Sequence, residues 1–204
     1  MSVYDDHILP HLIGWSCCAP PIMKQRALVV PAAQGRVLEI GLGTGPNLQF
    51  YDPSKVDRVF GLEPSLCMRR KAAKAVDACA VPVEFIDLPG EDVPLEDHSV
   101  DTVVLTFTLC TIPGAIEAVR EMKRVLKPGG RLLYLEHGRA PDAGVLRWQR
   151  RVEPVWKPLA GGCHLTRDIP ALLRTGGFEL EEAHCDYMRG VPRFAGYQYW
   201  GTAK

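Results

Sequence analysis

Short apolar runs at residues 36–41, 58–63, 81–87, 99–106 and 131–136 predict strands, and the stretches between them, at 46–51, 65–78 and 114–126, predict helices. This alternation implies right-handed βαβ units and a parallel sheet. The helical period is plainest in 114–126, where Ile116, Val119, Met122 and Leu126 share one face and Glu117, Arg120, Glu121 and Arg124 the other. Lys127-Pro128-Gly129-Gly130 is expected to end that helix sharply. Further on, a helix over 167–175 stops at Gly176-Gly177, and strands at 178–185 and 197–203 are expected to form an antiparallel edge hairpin. The polar 140–164 stretch, with Trp148 and Trp156, reads as a substrate-side insertion, and Pro10, Pro20, Pro21 and Pro31 break residues 1–34 into a helical cap. The expected architecture is a single α/β domain over 1–204, with a seven-stranded, mostly parallel sheet and helices on both faces.

The junction after the first strand carries the strongest chemical signal. Val37-Leu38-Glu39-Ile40 runs into Gly41, Gly43 and Gly45, where the backbone can turn tightly and approach a ligand, and the helix expected next would aim free N–H groups at it. A nucleotide-like cofactor fits such a loop. The dinucleotide fingerprint G-x-G-x-x-G needs glycine at 46, and Pro46 stands there instead. Glu63, followed by Pro64, ends the second strand eighteen positions after Gly45, where an acid can accept hydrogen bonds from both ribose hydroxyls. Glu39 is suited either to orienting the glycine loop through backbone N–H groups or to touching the ligand. Gly90-Glu91-Asp92 offers a carboxylate for an adenine amino group, and Thr106 and Phe107 to Cys110 lie at the end of the fourth strand, facing the reacting centre.

Charge and cysteine content exclude several classes. Twenty-four basic residues balance twenty-four acidic ones, so no positive field draws in nucleic acid. No apolar run approaches the length of about 18 residues that would suggest a spanning helix, and a cytoplasmic location is expected. Seven cysteines without a C-x-x-C pair predict reduced thiols and no metal, and the adjacent Cys163-His164 is unsuited to ligation.

The glycine loop, Glu63, Gly90-Glu91-Asp92, the fourth strand and Leu126-Lys127-Pro128-Gly129-Gly130-Arg131-Leu132 together resemble the type 11 (UbiE-like) branch of class I S-adenosylmethionine-dependent methyltransferases over residues 36–137. Asn47 with Phe50-Tyr51, Leu109-Cys110, Glu136-His137 and Gly162-Cys163-His164-Leu165-Thr166-Arg167 resemble the methyltransferase-like 7 thiol S-methyltransferases and their bacterial relatives, which commonly have cysteine where this loop has Leu42. The resemblance implies a Rossmann-like class I fold, acting as a monomer or homodimer on a small-molecule acceptor. It also implies S-adenosylmethionine as cofactor, leaving as S-adenosylhomocysteine and held by Glu39, Gly41, Gly43, Gly45, Asn47, Glu63, Pro64, Gly90, Glu91, Asp92 and Thr106.

On the acceptor side the candidates are His137, His164 and Cys110 for catalysis, with Phe107, Trp148, Cys163 and Arg167 as further substrate contacts. A thiol, with a pKa of about 8.5, is partly ionised near neutrality and needs little help from a base. Carbon and phenolic acceptors demand a positioned one. The expected reaction is therefore methyl transfer to the sulfur of hydrogen sulfide, methanethiol or an alkyl thiol. The alternative is C-, O- or N-methylation of a quinone precursor, lipid amine or other small apolar metabolite.

Overall fold

The computed structural model describes residues 17–204. Its strands are β1 (Gly35–Ile40), β2 (Val56–Leu62), β3 (Val83–Ile86), β4 (Val100–Thr106), β5 (Leu126–His137), β6 (Leu180–Tyr187) and β7 (Tyr197–Ala203). They form one sheet in the order β3-β2-β1-β4-β5-β7-β6, in which β7 alone runs antiparallel to its neighbours. Side chains alternate across the sheet. Leu38, Ile40, Val103 and Leu105 face one buried cluster, while Val37, Val59, Val104 and Leu133 face the other. Burial on both faces explains why these strands read as nearly continuous apolar runs.

The helices are α1 (Pro20–Val29), α2 (Leu66–Asp77), α3 (Ala115–Val125), α4 (Ala143–Leu159), α5 (Ile169–Thr175) and a single turn, α6 (Arg193–Gly196). Pro20 and Pro21 suit the first positions of α1, where no intrahelical N–H bond is due. Ser65 caps α2 by accepting from Met68 N at 3.3 Å. Residues 1–16 of the expected cap lie outside the described residues.

Three expectations change. The helix expected at 46–51 is a single 3₁₀ turn, Leu48–Phe50, because Asn47 is drawn into the core by its side-chain bonds. The glycine loop therefore runs into a 3₁₀ turn rather than the N-terminus of an α-helix. Lys127–Gly130 does not separate α3 from β5 but lies inside β5 as a bulge: pairing jumps from Val100↔Leu126 to Thr102↔Arg131, with Gly129 at φ +80. The 140–164 insertion is mostly the long α4, which Pro154 and Pro158 disguise in the sequence. Tertiary bonds hold α4 in place. Buried Gln149 accepts from Ala140 N at 2.9 Å and donates to Gly138 O at 3.0 Å, and Glu153 accepts from Thr166 N at 2.8 Å.

The strand order reverses between β1 and β4, so the loops after these strands diverge and leave a crevice at the carboxyl edge of the sheet. On the same layer as α3, a Cβ at Gly176 would lie 2.1 Å from Val119 Cγ1. Gly176→Ala should cost about 1–3 kcal/mol in urea unfolding. Combined with Val119→Ala, which vacates that space, the total loss should fall below the sum of the two single losses.

Candidate active site

Beneath the glycine loop lies a buried polar network. Arg26 of α1, only 2% exposed, donates from Nη1 to Asn47 Oδ1 at 2.8 Å and to Thr106 Oγ1 at 2.6 Å. Asn47 Nδ2 donates to Glu39 Oε1 and to Thr106 Oγ1, each at 2.9 Å, and Tyr51 OH donates to Glu39 Oε2 at 2.7 Å. Both oxygens of Glu39 are thus committed inside the core. Its partners are side chains rather than loop N–H groups, so it acts on the loop through Asn47. Burial pushes its pKa up to about 7, against the opposing effects of Tyr51, Arg26 and Asn47.

Above this network, Gly41, Gly43 and Gly45 have φ of +70, +59 and +78, the left-handed region that favours glycine. A Cβ on Gly41 would also come within 2.4 Å of the Thr108 side chain, whereas one on Gly43 would meet nothing closer than Gly41 O at 3.9 Å. Gly43 therefore faces open space. Glu63 closes this side, accepting from Gly43 N at 3.0 Å and Ser65 N at 2.9 Å, and burial raises its pKa against those two bonds. A carboxylate at the end of β2 beside an open glycine turn fits a nucleoside ribose. Pro64 is exposed at the rim. Glu91 is occupied in accepting from Gly114 N at 3.0 Å, Asp92 is exposed, and Gly90 packs beside Ile112.

Across the crevice is an apolar cavity of about 220 Å³. Phe107, Cys110, His137, Trp156, Cys163 and Met188 are among its walls. Phe107 holds a strained φ of +53 while Arg26 lies 5.3 Å from its ring centroid, which ties the cavity wall to the network below. His137 Nε2 is 3.0 Å from Cys163 Sγ, and Trp156 Nε1 donates to the same sulfur at 3.2 Å. The bond from Cys110, then those from His137 and Trp156, hold the Cys163 thiol well below its ordinary pKa, against burial; the same contact and burial drive Cys110 up. Burial alone would lower His137, but its bond to Cys163 raises it. Behind the cavity, Glu136 accepts from Thr108 N at 2.6 Å and Leu109 N at 3.0 Å, fixing the loop after β4, and burial lifts its pKa to about 7.

Of the acceptor-side candidates, Phe107, Cys110, His137 and Cys163 meet in this cavity, and three others do not line it. Trp148 is 60% exposed on α4. The His164 ring faces Glu153 at 3.5 Å, and its backbone N donates to Cys110 O at 2.9 Å. Arg167 donates to Leu109 O, so it braces the loop. The sequence reading missed Arg26, which lies in Lys24-Gln25-Arg26 just before the apolar run Ala27-Leu28-Val29-Val30.

Residues 38–134 match the methyltransferase domain family. The central segment of this chain is a methyltransferase domain. The open Gly43 turn and the Glu63 carboxylate fit S-adenosylmethionine as the methyl donor. The chain is 39% identical over 134 residues to a thiol S-methyltransferase, TMT1B, of Rattus norvegicus, covering 65% of this chain and 55% of that protein. It is 34% identical over 152 residues to human thiol S-methyltransferase TMT1A, covering 72% and 62%. The chain thus spans little more than half the length of the curated relatives it matches. A SAM-dependent methyltransferase of Leishmania major superposes with a TM-score of 0.71 at 15% identity, covering 98% of this chain and 80% of that one, which shows the shared fold. Among the described residues, no helix is long and apolar enough to cross a membrane.

Removing the Glu63 carboxylate in Glu63→Ala should weaken S-adenosylmethionine binding in calorimetric titration by about 10- to 100-fold, the worth of charge-assisted bonds. Glu39 gives a pH test. Its native pKa of about 7 exceeds the ordinary 4.5, so between these values the native state holds a proton that the unfolded chain has released. Its contribution to stability therefore falls as pH rises through that window. Glu39→Gln cannot titrate, so urea unfolding at both ends of the window should show the stability gap moving in the variant's favour by about 3 kcal/mol.

Proposed function

We propose that the chain transfers the methyl group of S-adenosylmethionine to the sulfur of a small apolar thiol or sulfide. The observation that carries this reading is the composition of the cavity: apolar walls, with Cys110, His137 and Cys163 gathered as its polar end. Among the described residues, no carboxylate and no lysine or arginine lines it. A lipid amine would need a group to accept its proton and a larger volume than about 220 Å³ for its chains. A thiol asks only for apolar surface and a soft, polarisable contact.

The cofactor, when bound, supplies an electrophilic methyl on a sulfonium centre. The chain's own residues position the reactants. Glu63 and the glycine turn hold the nucleoside end, and the Arg26 network fixes the ends of β1 and β4 against each other. Phe107 stands at the junction between the two sides. Cys163, His137 and Cys110 orient the acceptor sulfur, and the apolar wall excludes water from the line of attack. In-line displacement with a good leaving group draws much of its acceleration from such placement.

Purified protein incubated with S-adenosylmethionine and hydrogen sulfide, methanethiol or longer alkyl thiols should yield S-methylated products by mass spectrometry. Their absence across the panel would sink the proposal. His137→Ala should lower turnover at neutral pH by about 100-fold and recover part of that loss above the acceptor's own pKa of about 8.5, where the thiol ionises unaided. A carbon or phenol methyltransferase would show no such recovery.

A further inference from the structure

Cys110, His137 and Cys163 come from three separate segments, yet one ligand atom from each lies within 4.8 Å of the other two. A tetrahedral zinc ion with bonds of about 2.1–2.3 Å sets ligand separations of about 3.5–3.8 Å, so a small side-chain adjustment closes this trio around one ion. The backbone already holds the ligands together. His164 N donates to Cys110 O at 2.9 Å, joining the two cysteine-bearing loops, and the bonds from Thr108 N and Leu109 N to Glu136 fix the loop that carries Cys110. Trp156 Nε1, 3.2 Å from Cys163 Sγ, is the outer N–H donor that a metal-bound thiolate takes. Cys17 also lines the cavity but lies outside the 4.8 Å set.

The geometry points to a zinc site with three ligands among the described residues, its fourth position facing the acceptor cavity. The site itself stands on the ligand geometry; its role in catalysis rests on the thiol-acceptor reading. Two thiolates, one imidazole and an open position form a donor set suited to catalytic zinc. An acceptor thiol enters the fourth position, its S–H bond breaks and the proton leaves to water, while the sulfur keeps the electron pair and binds zinc as thiolate. That sulfur then forms a bond to the donor methyl carbon as the methyl–sulfonium bond breaks, the electron pair remaining on the donor sulfur. The product thioether is neutral, a poorer ligand than the thiolate, and leaves. The ion would thereby supply thiolate below the thiol's own pKa of about 8.5.

Untagged protein produced with zinc in the medium and dialysed should carry about one zinc per chain by elemental mass spectrometry, and Cys110→Ser, Cys163→Ser and His137→Ala should each retain less than about a tenth of that. Cys17→Ser should retain it. S-adenosylhomocysteine binding by calorimetry separates lost ligation from lost folding, since it should persist in all four variants. Cobalt-substituted protein should show a sulfur-to-metal charge-transfer band that shifts when methanethiol is added. Wild-type protein that takes up no zinc on titration, or Cys163→Ser that binds it as tightly as wild type, overturns the site. Zinc loss in Cys17→Ser overturns the open position, because the site would then be closed by a fourth cysteine. Metal-free wild type that methylates thiols at full rate overturns zinc catalysis and leaves the thiol acceptor standing. A protein whose cobalt form shows the shift but whose zinc form methylates no thiol upholds the site and sinks the acceptor reading.

Discussion

Arg26 and Glu39 are buried ionisable groups joined through Asn47 in one hydrogen-bonded network, and the placement of the crevice depends on that network. Burying such groups contributes little net stability, because desolvation offsets the bonds they make. What the network secures is position. Through Asn47 and Thr106 it ties α1, the segment after the glycine loop and the end of β4 to β1. These elements flank the point where the strand order reverses.

From that fixed base two different surfaces arise. The glycine turn and Glu63 form a polar wall with open space beside Gly43, suited to a nucleoside. The loop after β4, held by Glu136 from below and braced by Arg167, turns Phe107 and Cys110 toward an apolar cavity. The strained φ of Phe107 lies where the two surfaces meet, and its ring stacks over the same Arg26 that anchors the network. The two surfaces are therefore joined through one buried arginine.

The sequence exposed most clearly what is local. Apolar runs showed the sheet because both its faces are buried, and the glycine turn and Glu63 stood out because each sits at a strand end. The long α4 was hidden by Pro154 and Pro158, which tertiary bonds from Gln149 and Glu153 outweigh. The convergence of Cys110, His137 and Cys163 could not be read from spacing, since the topology alone brings three distant segments together. Adjacency misled in the same region. His164 follows Cys163 in the chain, but its side chain turns to Glu153, and the indole that reaches Cys163 is Trp156 rather than Trp148. Arg26 was passed over because, next to Lys24 and Gln25, it reads as one more polar position of a surface helix.

The central claim, that an acceptor sulfur is presented to the methyl donor by the Cys110–His137–Cys163 end of the cavity, is tested most directly by a crystal structure with S-adenosylhomocysteine and a small alkyl thiol. Anomalous scattering locates the ligand sulfurs without reference to the reaction. The account places the thiol sulfur against that trio, on a line toward the cofactor sulfur over the Gly43 turn. A thiol seated instead in the groove bounded by Pro20, Lys24 and Trp200, or a cofactor away from Glu63, would contradict it.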